Sequence, residues 1–155
     1  MNIVIKPGKD HKILAELNES VQTLHHELYP HDFKKYDPDS IGWAFEKIMA
    51  QPKAHAYIAF NNENPVGYIL CFVQKRKEND FQYAKDFLLI DQIAIIRAFR
   101  RKGIASQLLS KAKELATSLS IKEIQLEHWN HNEEAESFFK AQDFKYLKHK
   151  MEMSL

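Results

Sequence analysis

The sequence predicts an α/β fold of the α+β type, with one mixed, mostly antiparallel sheet flanked by helices. Short β-rich apolar segments alternate with longer segments that carry apolar residues at helical spacing. Their order along the chain is β-α-α-β-β-β-α-β-α-β. Strand–helix–strand units near the C-terminal end require at least one parallel pair, whereas the consecutive central strands favour an antiparallel meander.

The first half of the chain predicts two helices between an opening strand and a hairpin. The opening strand is Asn2–Lys6. Apolar residues at helical spacing predict the first helix, at Ile13, Leu17, Val21, Leu24 and Leu28. A second helix is expected to begin near Asp39 or Ser40. The strands His55–Phe60 and Val66–Gln74 are joined by turn-forming residues, which predict a hairpin.

The second half predicts three further strands and two helices. Phe87–Ile96 is an almost continuous apolar run, typical of a strand covered on both faces. A basic loop then leads into a long helix that runs to about Leu119. Glu123–Trp129 predicts a strand, Asn132–Ala141 a helix and Phe144–Met153 a closing strand. No repeat or linker interrupts these segments, so we expect a single domain over residues 1–155.

Composition excludes several classes of protein. Lys plus Arg number 22 against 21 Asp plus Glu, so no global field favours nucleic acid or an anionic membrane. Cys71 is the one cysteine and lies in an apolar stretch, which indicates a small buried hydrophobe and a reducing, cytoplasmic location.

The N-terminal residues lack the charged and apolar regions of a signal peptide, and no apolar run can span a bilayer. The histidine pair His25 and His26 lacks a further spaced ligand, so we expect no metal site.

One segment, Ile95–Ser106, predicts an anion-binding site. A buried strand ends there, four basic residues follow between positions 97 and 102, and Gly103 leads into the long helix. The first N–H groups of a helix have no partner within it, and glycine lets the backbone approach a ligand closely. This order is typical of a phosphate or pyrophosphate site. A solvated basic turn is the alternative, and the chain contains neither GxxxxGK[ST] nor GxGxxG.

The same segment resembles the signature of a known family. Arg100-Arg-Lys-Gly103-Ile-Ala105 resembles the [QR]-x-x-G-x-[GA] pattern of the GNAT superfamily of N-acetyltransferases. Asn132–Phe144 is similar to that family's second region, N-x-x-A-x-x-[FL]-Y-x-x-x-G-F. Asn64–Leu70 resembles its β-hairpin exit, and Asp91–Ile95 its fourth strand. The element order matches the family from about residue 2 to residue 153.

The resemblance implies an acetyl-CoA-dependent N-acetyltransferase that acts on a primary amine by direct attack in a ternary complex. In this family the signature loop cradles the pyrophosphate of acetyl-CoA, and backbone N–H groups of the fourth strand hold the pantetheine and the thioester oxygen. The acceptor, a small molecule, a peptide or a protein, stays open. The residues that the resemblance assigns to the cofactor are Ile93, Ala94, Ile95, Arg100, Arg101, Lys102, Gly103, Ile104, Ala105, Ser106, Asn132, Ala135, Phe138 and Phe139.

Three positions depart from the family pattern. Arg97 replaces the usual proline, and Asp143 replaces a glycine, so that an aspartate must adopt the turn before the last strand. Phe139 replaces the tyrosine that is often assigned as the acid protonating the departing thiolate. Because Phe139 cannot donate a proton, another group or water must serve, or the thiolate leaves unassisted.

Asp91 is the leading candidate for the general base. A carboxylate within an apolar strand is costly to bury unless it is paired or useful. Strand alternation would place Asp91 with Ile93 and Ile95 on one face, unless a bulge changes it. A structural carboxylate satisfied by a basic side chain or by the backbone is the alternative, and Glu127 on the next strand is the reserve candidate.

The acceptor side of the site carries the weakest signal. Tyr29, Phe33 and Trp129 are either substrate contacts or packing residues. A rival function is a non-catalytic acyl-CoA sensor or interaction domain on the same fold. A nucleic-acid-binding domain is disfavoured because the chain lacks a second basic patch. A homodimer is a further expectation.

Overall fold

One mixed sheet organises the chain, and the computed structural model describes residues 1–155. The five strands are β1 (Ile3–Pro7), β2 (Ala54–Asn61), β3 (Asn64–Arg76), β4 (Lys85–Ile95) and β5 (Ile124–Leu126). The α-helices are α1 (His11–Leu28), α2 (Pro38–Met49), α3 (Ile104–Ser118) and α4 (Glu133–Ala141).

The strands lie in chain order, and the predicted mixture of pairings is confirmed. β1 to β4 pair antiparallel with their neighbours, and β5 pairs parallel with β4. The predicted hairpin joins β2 to β3 through Asn62 and Glu63, whose φ angles are 47° and 72°. Two consecutive residues in the left-handed region match the twist of a tight hairpin.

Helices cover the sheet on both faces. Asp10 begins α1 by accepting bonds from the N–H groups of the first turn, and Asp37 begins α2 in the same way with Pro38 directly after it. α1 and α2 build one core with β2 and β3, whereas α3 builds the second core on the opposite face. No helix is both long enough and apolar enough to cross a bilayer.

The prediction of a closing strand at Phe144–Met153 is wrong, because the chain forms no strand after β5. No backbone hydrogen bond involves residues 145–155, and all of their side chains are exposed. Within this segment, Phe144 is held by its N–H bond to the Phe139 carbonyl and by ring packing at 5.4 Å, and Tyr146 is held by the bond from its hydroxyl to the Glu136 carboxylate. A strand requires a neighbour for its ladder bonds, and the chain beyond Phe144 pairs with none.

Candidate functional site

The loop before α3 presents backbone N–H groups that have no acceptor in the protein. None of the N–H groups from Arg101 to Ser106 donates a hydrogen bond, and Gly103 provides no side-chain cap. Arg101 and Gly103 adopt left-handed conformations, with φ of 59° and 76°. The α3 dipole adds positive potential at the same point. The loop therefore offers a cluster of donors that suits a bound phosphate or pyrophosphate.

The basic side chains of this loop differ in whether they contact the rest of the protein or face solvent. The Arg100 guanidinium turns inward: its Nε donates to the Ile95 carbonyl at 3.0 Å, and it lies 4.0 Å from the Glu134 carboxylate of α4. Lys102 lies over the Phe99 ring at 5.0 Å. Arg101 is exposed and makes no ion pair. Arg100 thus holds β4, the loop and α4 together, while the charge of Arg101 faces solvent.

The first residues of α3 contribute through their backbone. The Ile104 side chain is buried in the α3 core, so only its N–H is available to a ligand. Ala105 is half-buried, and the Ser106 hydroxyl accepts a bond of 3.2 Å from the Gln142 amide at the end of α4. This bond fixes α4 against the start of α3.

A β-bulge interrupts β4 at Asp91. Leu70 of β3 pairs with Gln92, whereas the next residue, Cys71, pairs with Ile90. Asp91 is therefore an extra residue without a partner on β3. Bulges of this kind occur next to active sites, where they redirect a side chain.

The bulge interrupts the alternation of side chains along β4. Ile93 and Ile95 pack on the α3 core, and Ala94 packs on the α1 core. The side chain of Asp91 accepts a hydrogen bond from Gln92, which also faces α1. Ile90 and Ile93 both pack on the α3 core although they are three positions apart, so the bulge exception to simple alternation applies at Asp91.

The parallel strands β4 and β5 separate at the bulge. β4 and β5 pair only between Leu88–Ile90 and Ile124–Leu126. β5 was predicted to continue to Trp129 but ends at Leu126. From Asp91 to Ile95, β4 consequently has no strand on that side. The opening leads from the bulge towards the loop before α3, so an extended ligand could bond to β4 in place of a strand.

Asp91 belongs to a polar network that sequence reasoning missed. The Gln92 amide donates to Asp91 at 3.2 Å, and the Gln92 carbonyl oxygen accepts bonds from the Tyr68 hydroxyl and from Asn18 at 3.1 Å. Asn18 is 4% exposed, and its own carbonyl oxygen has no partner. A signal was present in the sequence, because Asn18 interrupts the apolar face of α1.

The surroundings of Asp91 favour its neutral form. Although the carboxylate reaches solvent, partial burial raises its pKa, and the Gln92 hydrogen bond offsets part of that rise. No Lys or Arg pairs with Asp91. The alternative of a carboxylate satisfied by a basic side chain therefore finds no partner in the structure.

The other titratable candidates are less engaged. Glu127 lies just beyond β5, is exposed and makes no hydrogen bond. Burial raises the pKa of Cys71 to about 12, so its thiol stays protonated, as expected of a buried hydrophobe. No cluster of His, Cys, Asp or Glu is arranged to hold a metal ion.

α4 provides structural anchors at the predicted second region. The Asn132 side chain caps the helix by accepting a bond of 3.2 Å from the Ala135 N–H. Phe139 is 6% exposed and packs on Phe138 with ring centroids 5.1 Å apart. Asp143 has φ of 67°, so the aspartate does adopt the left-handed turn that a glycine was expected to need.

An aromatic cluster joins the α1–α2 connection to the β5–α4 connection. Trp129 lies 4.6 Å from Tyr29 and 5.1 Å from Phe33 between ring centroids. The Tyr29 hydroxyl accepts a bond of 2.7 Å from the N–H of His131. Burial lowers the pKa of His25, whose ring lies 4.6 Å from Phe33. The three predicted acceptor residues are therefore together and pack on one another.

Comparisons with known proteins agree with this fold. The family model described as Acetyltransferase (GNAT) family matches residues 18–144. A crystal structure of a tetramutant of the BH1408 protein from Bacillus halodurans superposes with a TM-score of 0.91 at 17% identity, covering 98% of this chain and 99% of that one. The aminoglycoside N-acetyltransferase AAC(6')-Iy in complex with CoA gives 0.73 at 15% identity, covering 99% and 95%. The ribosomal-protein-alanine N-acetyltransferase from Brucella melitensis biovar Abortus 2308 gives 0.70 at 14% identity, covering 99% and 100%.

The architecture is that of an acetyltransferase fold. The chain belongs to the GNAT acetyltransferase family, since the family model covers most of its length. At these identities the solved structures show the fold alone.

Proposed function

We propose that this chain is an acetyl-CoA-dependent N-acetyltransferase that acetylates a primary amine by direct attack in a ternary complex. The observation that carries the proposal is the run of N–H groups without acceptors, Arg101–Ser106, at the N-terminus of α3 beside the open side of β4. Two left-handed residues and an uncapped helix start suit a pyrophosphate. The separation of β4 from β5 suits an extended pantetheine.

The residues proposed to hold acetyl-CoA act mainly through their backbone. The N–H groups of Arg101–Ser106 would bind the pyrophosphate, and the Arg101 side chain would add charge. Ile93, Ala94 and Ile95 would present β4 backbone groups to the pantetheine and the thioester. When bound, acetyl-CoA supplies an activated acetyl group. Arg100, Asn132, Ala135, Phe138 and Phe139 would shape this site by fixing α4 and the loop rather than through charge.

Asp91 is proposed as the base that removes a proton from the amine, directly or through a water. Its pKa is raised by partial burial, which brings the group closer to working pH, and no cation neutralises it. Gln92 holds one carboxylate oxygen at 3.2 Å and leaves the other available. Glu127 is the reserve base, because its exposed carboxylate also lies beside the opening between β4 and β5.

The acceptor is proposed to approach near Tyr29, Phe33 and Trp129. These rings connect two loops and leave part of the Trp129 surface exposed. The solved relatives act, by their names, on an aminoglycoside and on a ribosomal protein. Because the same fold serves both, fold likeness does not select the acceptor here.

One observation favours a second candidate function, a non-catalytic acyl-CoA sensor. Phe139 is buried and lacks the hydroxyl that the family's tyrosine would offer to the leaving thiolate. Measuring free thiol release from acetyl-CoA with a panel of amines, aminoglycosides and ribosomal peptides separates the two. An enzyme releases CoA in proportion to acetylated amine, whereas binding of acetyl-CoA without release with any amine would favour the sensor.

A further inference from the structure

The bulge in β4 places two consecutive side chains where they bond to each other. Neighbouring residues of a regular strand point to opposite faces of the sheet, so their side chains do not meet. Asp91 is the extra residue of the bulge and Gln92 follows it. The Gln92 nitrogen Nε2 donates to the Asp91 oxygen Oδ2 at 3.2 Å. Because a bulge redirects a side chain, the contact between Asp91 and Gln92 depends on it.

The other end of the Gln92 amide is held by two donors. Its oxygen Oε1 accepts a bond from the Tyr68 hydroxyl and a second bond, of 3.1 Å, from the Asn18 nitrogen Nδ2. The same Asn18 nitrogen also donates to the Tyr68 hydroxyl at 3.1 Å, as its two hydrogens allow. The three side chains form a closed triangle of hydrogen bonds that joins α1, β3 and β4.

The triangle allows one orientation of the Gln92 amide while Asp91 is ionised. In a glutamine side chain the oxygen only accepts hydrogen bonds and the NH2 group only donates them. Turning the amide over would direct Oε1 at the negative Asp91 carboxylate and Nε2 at the NH2 group of Asn18. Both contacts are repulsive, so the triangle keeps a donor pointed at Asp91.

The burial of Asn18 supports a role beyond packing. Asn18 is 4% exposed and lies on the buried face of α1 with Leu14 and Leu17. Its nitrogen makes two hydrogen bonds, but its carbonyl oxygen has no partner. A buried acceptor without a partner destabilises the fold, and an apolar residue of similar size avoids that cost. Asn18 therefore lowers stability at the place where it holds Gln92.

We propose that Gln92 is a positioning residue for Asp91, and that Tyr68 and Asn18 act through Gln92 by fixing its amide. This role rests on the proposed function, in which Asp91 is the base. Gln92 occupies the oxygen Oδ2 of the carboxylate, which leaves Oδ1 free to take the proton. The proton leaves the amine nitrogen and binds Oδ1, directly or through a water, while Oδ2 stays bonded to Gln92.

Gln92 is the side chain that stabilises the charge of Asp91. Partial burial raises the pKa of Asp91 and the Gln92 bond lowers it, and no charged side chain of α1, β3 or the β5 end adds to either effect. Tyr68 and Cys71 face Asp91 from β3, and both are neutral, because burial, and to a smaller extent the Asp91 charge, raises the pKa of each. Glu127 beyond β5 is exposed. Removing the Gln92 donor should therefore raise the pKa of Asp91 further.

NMR titration of the Asp91 carboxyl in the full chain measures this effect without any substrate. Gln92→Met keeps the length of the side chain and removes the donor, so the Asp91 pKa should rise by about 1 pH unit. Tyr68→Phe keeps the ring and loosens Gln92, so it should raise the same pKa by less. Tyr36→Phe is the matched control, because its hydroxyl also bonds to α1, at the Ala15 carbonyl and 2.9 Å, without touching Gln92. The control should leave the Asp91 pKa unchanged.

The pH–rate profile with an amine substrate tests whether this hold acts in the reaction. The pH midpoint at which kcat/KM rises should move up by about 1 pH unit in Gln92→Met and stay in place in Tyr36→Phe. Below the midpoint, kcat/KM should fall about 10-fold, because one pH unit leaves a tenth of the ionised base. The Kd for CoA should not change. A merely structural role would lower the melting temperature without moving the midpoint.

The two measurements separate a failure of this role from a failure of the proposed function. An Asp91 pKa that is the same in Gln92→Met as in the parent overturns the role of Gln92, whether or not the chain acetylates an amine. A raised pKa with an unmoved rate midpoint also overturns it, since Gln92 would then hold a carboxylate that is not the base. A raised pKa in a chain that acetylates no amine supports the hold of Gln92 on Asp91 and contradicts the proposed function alone.

Discussion

Gly103→Ala tests the proposed pyrophosphate site. Gly103 has φ of 76° and ψ of 4°, a left-handed conformation that costs an alanine about 1 to 2 kcal/mol. A Cβ at this position would meet no protein atom within 4 Å. The substitution therefore perturbs the backbone and the space in front of the α3 N-terminus, but not the core.

The expected effect on cofactor binding exceeds the effect on folding. The strain lowers the melting temperature by roughly 2–8 °C for a chain of this size. Loss of one charge-assisted bond from the loop costs about 2 kcal/mol, which raises the Kd for CoA about 30-fold. At a CoA concentration of about 100 times the original Kd, the stabilisation by ligand falls from about 2.7 to about 0.9 kcal/mol.

Thermal melting with and without CoA measures both effects, and Gly42→Ala is the matched control. Gly42 lies within α2 and would also meet no atom within 4 Å, but its φ is in the ordinary helical region. Alanine there should stabilise the helix by about 0.5–1 kcal/mol and leave the CoA shift unchanged. An undiminished CoA shift in Gly103→Ala would refute the assignment of the α3 N-terminus as the pyrophosphate site.

The remaining predictions concern Asp91 and Phe139. Asp91→Asn should lower kcat/KM most at moderate pH, regain part of the rate as pH rises and keep the Kd for CoA; equal pH–rate profiles for both proteins would exclude Asp91 as the base. Because the folded-state pKa of Asp91 is raised, ionisation of this carboxyl opposes folding. As pH rises from the ordinary carboxyl pKa through the raised one, the parent should therefore lose free energy of unfolding. Asp91→Asn should lose less of it over the same pH range. Phe139→Ala should cost about 3–5 kcal/mol of stability in chemical denaturation, because the buried ring packs on Phe138 and Phe144. Phe139→Tyr should keep the parent's turnover and stay within about 1 kcal/mol of its stability; a larger loss would mean that the far end of the ring is enclosed and away from the thioester.

Local patterns predicted the elements well where each element has one dominant signal. The apolar spacing of α1 and the turn formers between β2 and β3 both produced the expected structures. The free backbone N–H groups of the loop before α3 were also predictable, because the first N–H groups of any helix have no partner within it and a preceding glycine leaves them accessible. The left-handed conformation of Asp143 was predicted from the family resemblance, because the family pattern has a glycine at that position.

Features that depend on neighbouring strands could not be predicted in this way. The bulge at Asp91 is a mismatch of register between β3 and β4, and neither strand contains it alone. The closing strand failed for a related reason: residues 144–153 have a strand's pattern, but the pattern does not say which edge accepts them. The Asn18–Tyr68–Gln92 network required α1, β3 and β4 to be placed together.

The unfavourable features of the fold gather at one end of β4, and their position argues for function there. Asp91 is a partly desolvated carboxylate without a cation, and the Asn18 carbonyl oxygen is buried without a partner. Arg101 is left-handed next to N–H groups that have no acceptor. Left-handed residues elsewhere lie in turns that require them, such as the β2–β3 hairpin. A carboxylate that served stability alone would be expected to have a basic partner, and a helix start that served only packing would be expected to have a side-chain cap. β4 also lacks a strand partner at this end, so the unfavourable features lie where a bound ligand would provide the missing contacts. Proteins are expected to depart from the usual rules of capping, pairing and burial at functional sites.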